Sequence, residues 1–188
     1  MNCSIFSIPK TRLILPWLFC AALGGHSYAA DFGVANWGMT PAEVKNLESR
    51  PNLTPFGEQD YLIYRLSLSG IASARLVYQF QHGQLIQGRF LFRTDNPMDV
   101  QTVIVQYRRI KAFLSEQYGP PDKDLVLTRD TSTLTLDPTQ YANELASDRL
   151  ILKSQWRSPT ALIKHQLAWN NNRPHHQVVY TPSKEISP

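Results

Sequence analysis

Apolar residues along this 188-residue chain recur with two periods, and the switches between them predict its elements. Thr40, Pro41, Glu43 and Val44 mark a helix start: a threonine able to cap, a proline whose missing N–H costs nothing in the first turn, and a glutamate placed to return the bond. Met39 is placed to staple onto Val44, and a short helix over 41–48 follows. The same grammar at Asn96, Pro97, Asp99 and Val100 opens a longer helix to Tyr118, in which Val100, Val103, Ile104, Tyr107, Ile110 and Leu114 recur at three-and-four spacing. Gly119-Pro120-Pro121 stops it. Asp137-Pro138-Thr139-Gln140 predicts a third, short helix through Leu145.

Elsewhere the period is two, the mark of strands with one buried face. Leu62, Tyr64, Leu66 and Leu68 alternate with Ile63, Arg65 and Ser67, and Ala74, Leu76, Tyr78 and Phe80 alternate with Arg75, Val77 and Gln79. His82-Gly83 predicts a tight hairpin into a strand over 84–93. Further strands are expected over 125–128, 133–136, 150–157, 160–169 and 177–181, with turns at Ser158-Pro159 and over 170–174. Runs of strands between helices predict an α+β class, an antiparallel sheet with helices packed on one face. Helix then strands, twice, suggests two αβββ units. One continuous sheet is the expected arrangement and two small sheets the alternative.

Ahead of these elements lies a different pattern. Lys10 and Arg12 precede an apolar run from Leu13 to Leu23, and Ser27 and Ala29 supply small side chains at the positions a signal peptidase requires. Residues 1–29 are therefore expected to be a signal peptide cleaved after Ala29, leaving a single domain over 30–181 and a flexible tail over 182–188. Pro16 and Gly24-Gly25 break the run below the roughly 20 apolar residues of a spanning helix. Phe19 before Cys20 is too large for a lipoprotein site. A periplasmic or secreted location without a transmembrane anchor is the expectation.

That address changes how the composition is used. Cys3 and Cys20 both fall in the leader, so the remaining domain has no disulfide and must hold together by burial. Taking Lys10 and Arg12 from the 19 basic residues leaves 17 against 15 acidic ones, so the sequence pI of 9.1 owes part of its height to the leader. A near-balanced charge outside the cytoplasm excludes nucleic acid as the expected partner.

Candidate chemistry is sparse. His165, His175 and His176 form the one cluster worth testing for a metal, but adjacent strand residues point to opposite faces, so no metal site is expected. His165 shares the phase of Ile163, Leu167 and Trp169 and is expected in the core or at its rim. Asp122-Lys123-Asp124 lacks the ligand spacing of a calcium loop. No serine lies in a nucleophile elbow and no glycine loop cradles phosphate, so neither catalytic residues nor cofactors are assigned. Trp37, Trp156 and Trp169 fall in apolar phases or beside a helix cap, which favours core over a glycan platform.

Trp37-Gly38-Met39-Thr40 with Glu43-Val44, then Tyr78-Gln79-Phe80, Gly83-Gln84-Leu85, Tyr118-Gly119-Pro120, Trp156 and Thr160, resemble uncharacterised bacterial exported proteins with a WGM(S/T)xxEV start and a helix ending in YGxP. The αβββ arrangement is more distantly similar to outer-membrane-assembly lipoproteins of the BamE/SmpA type and to β-lactamase-inhibitor-protein-like repeats. Those resemblances imply a role in binding other proteins.

The strands suggest where. If Tyr64, Leu76, Tyr78 and Phe90 face the helices, then Ile63, Arg65, Arg75, Val77, Arg89, Leu91 and Arg93 fall on the opposite face, together with Leu85. A mixed apolar and arginine surface has the composition of protein interfaces. The expectation is an exported, non-catalytic protein-binding or envelope-assembly module, its partner another envelope or secreted protein docked on that face or added as a strand at a sheet edge. The alternative is a hydrolase-like enzyme or small-ligand carrier with a cleft between the two units.

Overall fold

The computed structural model describes residues 30–54, 59–68, 72–94, 96, 98–129, 135–171 and 173–184. Three helices, α1 (Pro41–Leu47), α2 (Val100–Tyr118) and α3 (Tyr141–Ala146), accompany seven strands. These are β1 (Tyr61–Leu68), β2 (Ala72–Gln81), β3 (Gln84–Arg93), β4 (Lys123–Leu127), β5 (Ile151–Arg157), β6 (Ala161–Asn170) and β7 (Arg173–Pro182). They form one antiparallel sheet in the order β1-β2-β3-β7-β6-β5-β4, so the class is α+β. Two meanders, β1-β2-β3 and β5-β6-β7, meet where β3 pairs with β7, and β4 extends the second one outward.

Local chemistry accounts for the ends of the elements. At α1 the Thr40 hydroxyl accepts from the Glu43 N–H while the Glu43 carboxylate accepts from the Thr40 N–H at 2.8 Å, the reciprocal pair its sequence predicts. α2 starts later than Asn96 and Pro97 suggest, because Asp99 caps it, accepting from the N–H and hydroxyl of Thr102. Asn96 instead accepts from the Met98 N–H and shapes the approach, while Pro97 lies outside the described residues. Asp137 opens a 3-10 turn at Pro138–Gln140 that leads into α3. His82 and Gly83, with φ of 50° and 75°, make the tight hairpin between β2 and β3.

Three strand expectations are revised. A bulge between Gln79 and Phe80 pairs Phe80 with Leu85, which flips the phase at the start of β3 and buries Leu85 completely instead of leaving it on the outer face. β7 begins at Arg173, so Pro174 lies in the strand rather than in a turn, and His175 and His176, which precede the strand expected over 177–181, are inside it. Pro174 is tolerated because β3 pairs only with 177–180 of β7. Of the strand expected over 133–136, residues 133 and 134 lie outside the described residues, while Thr135 and Leu136 are not in a strand. At the C-terminal end β7 continues through Pro182, and the Ser183 N–H donates to the Thr160 carbonyl. The leader and residues 185–188 also lie outside the described residues.

The core gathers on one phase of the sheet. Leu62, Leu76, Tyr78, Trp156, Ile163 and Val178 cluster with Val44 of α1 and with Ile110 and Leu114 of α2. Leu152, Leu167 and Trp169 cluster with Val103 and Ile104 of α2 and Leu145 of α3. Phe32, on the segment leading into α1, is the aromatic hub, with ring centroids 5.1 Å from Phe90, 5.1 Å from Tyr180 and 5.4 Å from Tyr78. Among the described residues no helix is long and apolar enough to cross a membrane.

Candidate functional site

The outer phase of the sheet, opposite that core, carries all seven residues named above. In one row Ile63 lies opposite Val77 and Val77 opposite Arg89, and the register continues to Val179 and Lys164. In the next row Arg65 lies opposite Arg75 and Arg75 opposite Leu91, continuing to Gln177, Gln166 and Lys153. Arg93 sits opposite Ser73. Arg65 and Arg93 are exposed, Ile63, Arg75, Arg89 and Leu91 half-buried, and Val77 buried between its neighbours. Arg89 is held by the side-chain carbonyls of Gln87 and Gln79, at 2.6 and 3.0 Å. Arg65, Arg75 and Arg93 border a hollow of about 330 Å³ with Leu53, Ser73 and Thr94.

The sheet edge at β1 is already occupied. Asn52 bridges to Tyr64, the Leu53 N–H donates to the Ile63 carbonyl, and the Arg65 N–H donates to the Pro51 carbonyl. Backbone groups that would template an added strand are thereby used within the chain. At the opposite edge β4 is five residues long and starts Lys123-Asp124, a short charged edge of the kind that resists pairing.

The histidines meet on the inner phase. His165 and His176 are 0% and 4% exposed, while His175 points outward. Gln106 of α2 fixes their protons. Its amide nitrogen donates to the Arg93 carbonyl, so its oxygen faces His176 Nδ1 at 2.9 Å, and that nitrogen carries the hydrogen. His176 Nε2 must then accept, and His165 Nε2, 2.8 Å away, donates to it. His165 Nδ1 is left as a bare buried lone pair without a partner. Burial pushes both imidazoles down, His176 to about 3 and His165 well below its usual value, with the neighbouring His176 and Lys111 adding to the effect at His165.

A serine and an acid lie beside this pair, but they are wired differently from a catalytic triad. Ser154, directly opposite His165, donates from its hydroxyl to Asp124 at 2.8 Å and meets the Tyr107 hydroxyl at 2.8 Å. Asp124 also pairs with Lys111. His165 has no bond to the serine, and the Tyr107 ring stacks on the imidazole at 4.1 Å. Ser154 and His165 are both fully buried, so a substrate has no approach to them. Among the described residues no group of three His, Cys, Asp or Glu side chains converges for a metal.

A second hollow, also about 330 Å³, opens between α2 and the inner phase of β1 to β3. Leu66, Leu68, Phe90 and Phe113 line it with Arg50 at its margin. Arg50 is already paired with Glu48 at 2.7 Å, whose buried carboxylate also accepts from the Tyr78 hydroxyl at 2.9 Å.

Compared with known proteins, the chain matches no family model, no curated protein and no solved structure.

Proposed function

We propose that this protein is an exported, non-catalytic binding or assembly module of the cell envelope, and that its partner docks on the outer face of the sheet around Arg65, Arg75, Arg89 and Arg93. The observation that carries the reading is the pair Arg65 and Arg75. Like charges directly opposite each other on neighbouring strands cost stability. Among the described residues no carboxylate compensates either one. An uncompensated pair of guanidinium groups beside Ile63 and Leu91 suits an interface that a partner completes. The resemblance to uncharacterised exported proteins and, more distantly, to αβββ repeats that bind other proteins agrees with this role, and Ser154 and His165 are both buried.

The test reverses the charge. R75E/R89E is expected to lower the unfolding midpoint only modestly, because the half-buried Arg89 gives up its bonds to Gln87 and Gln79, about 0.5–1.5 kcal/mol each, while a carboxylate opposite Arg65 relieves a repulsion. The same variant is expected to lose its crosslinked partner in the native host. Crosslinking at the level of the unsubstituted protein counts against the proposal.

One observation favours a second reading, a carrier of small apolar molecules: the hollow beside Phe90 and Phe113 has the size of a ligand pocket. Saturable binding of an alkyl-chain fluorophore that survives R75E/R89E supports that reading.

A further inference from the structure

Charge along the chain is sorted by strand and by face. The seven strands contain a single carboxylate, Asp124, and it lies in the inner phase on Ser154 and Lys111. They contain nine lysines and arginines, every one in the outer phase. Besides Arg65, Arg75, Arg89 and Arg93 in the first meander, these are Arg173 of β7, Lys164 of β6, Lys153 and Arg157 of β5, and Lys123 of β4. None is buried, and among the described residues none pairs with a carboxylate. The other acidic residues that the structure describes sit in caps, turns and helices. A chain with nearly balanced charge has therefore placed a cation-only field on one face, about 29 Å wide at ~4.8 Å per strand step.

We infer that the partner is a protein with an acidic segment, whose carboxylates seat in the hollow between Arg65, Arg75 and Arg93 and continue across the sheet toward Lys164 and Lys153. This rests on the docking face proposed above. Guanidinium forks match carboxylates in pairs, and three of them border one hollow with the hydroxyls of Ser73 and Thr94 beside them. Between the cations stand aliphatic Ile63, Leu91, Leu162 and Val179 and the amides of Gln166 and Gln177, a surface suited to a polypeptide. A flat membrane fits poorly, since six successive twists of roughly 20° turn this face through more than ~100°. Bases and sugars usually bind on aromatic platforms, and Tyr61 on the edge strand is the one Phe, Tyr or Trp of the strands in the outer phase.

The experiment titrates the purified protein with three probes: labelled poly-L-glutamate, inorganic phosphate, and vesicles of phosphatidylcholine with phosphatidylglycerol. Poly-L-glutamate is expected to bind saturably and to weaken steeply as salt rises. R65Q/R93Q is expected to weaken it by roughly tenfold or more and K153Q/K164Q by a smaller factor. R65K/R93K, which keeps the charge but removes the forks, falls between. Unfolding midpoints equal to that of the unsubstituted protein show that these losses are local. Absence of poly-L-glutamate binding, equal binding by all variants, or stronger retention on vesicles or phosphate overturns the inference. If R75E/R89E still abolishes partner crosslinking under that outcome, the docking face stands and only the acidic partner falls. If crosslinking is also unaffected, both fall.

Discussion

Phe32→Ala is expected to lower the unfolding free energy by about 3–5 kcal/mol, the cost of emptying a site that a large aromatic fills in a packed core. Its ring is 2% exposed and touches Phe90, Tyr78 and Tyr180, so the segment before α1 is fastened to β2, β3 and β7 through one side chain. The same contact explains Gly88. A Cβ at this position would lie 2.1 Å from the Phe32 ring, so Gly88→Ala alone is expected to cost about 1–3 kcal/mol or more through overpacking. Because each substitution removes what the other needs, the two costs should not add. In F32A/G88A the new methyl enters the space the ring has left, and the double variant should be less destabilised than the summed single effects by at least ~1 kcal/mol. Urea unfolding of the four proteins measures this cycle. Additive costs would mean that Phe32 and Gly88 are not packed against each other.

Phe32 also shows where sequence reasoning stops. Local grammar was legible: the Thr40-Glu43 cap, the His82-Gly83 hairpin and the apolar stripe of α2 are each specified by residues within a few positions of one another. Alternation likewise placed Ile63, Arg65, Arg75, Val77, Arg89, Leu91 and Arg93 on one face, because a period of two needs no knowledge of neighbours. What it could not supply was the bulge at Gln79 and Phe80, which moves Leu85 into the core by one unpaired residue. Nor could it supply the β3 and β7 pairing, which joins residues far apart in sequence and extends the arginine face to Lys164 and Lys153.

The co-occurring motif residues gain a reason only in three dimensions. The Trp37 indole N–H donates to the Thr160 carbonyl at 2.9 Å, and the Trp156 indole N–H donates to the Gly119 carbonyl, where α2 ends, at 3.0 Å. Two separated tryptophans thus tie an N-terminal turn and a helix stop to the second meander. The histidines were half legible: His165 was placed in the core phase, but its partner His176 and the controlling Gln106 come from another strand and a helix. A buried imidazole needs an acceptor or donor from somewhere, and sequence alone does not say from where.

That pair makes the fold sensitive to acid well above the carboxylate range. Both imidazoles are neutral in the folded protein and held below the ordinary 6.5, whereas the unfolded chain protonates them near that value. The groups facing them are Tyr107 and Gln106 of α2, Ser154 and Trp156 of β5 and Phe92 of β3, with Lys111 as the nearby cation. None of them supplies a negative charge, and Asp124 is committed to Ser154 and Lys111. Since the unfolded state binds more protons below pH 6.5, stability is full above that pH and is lost as pH falls. Each histidine contributes a slope of up to ~1.4 kcal/mol per unit, continuing for His176 toward about pH 3. From pH 6.5 to 5.0 the two together should remove up to ~3 kcal/mol, measured as the shift of the urea midpoint. H176Q keeps a polar partner for His165 and Gln106 but cannot titrate, so its slope over the same window should fall to about half. A stability that stays flat between pH 6.5 and 5.0 would show that the two rings are not buried as a neutral pair.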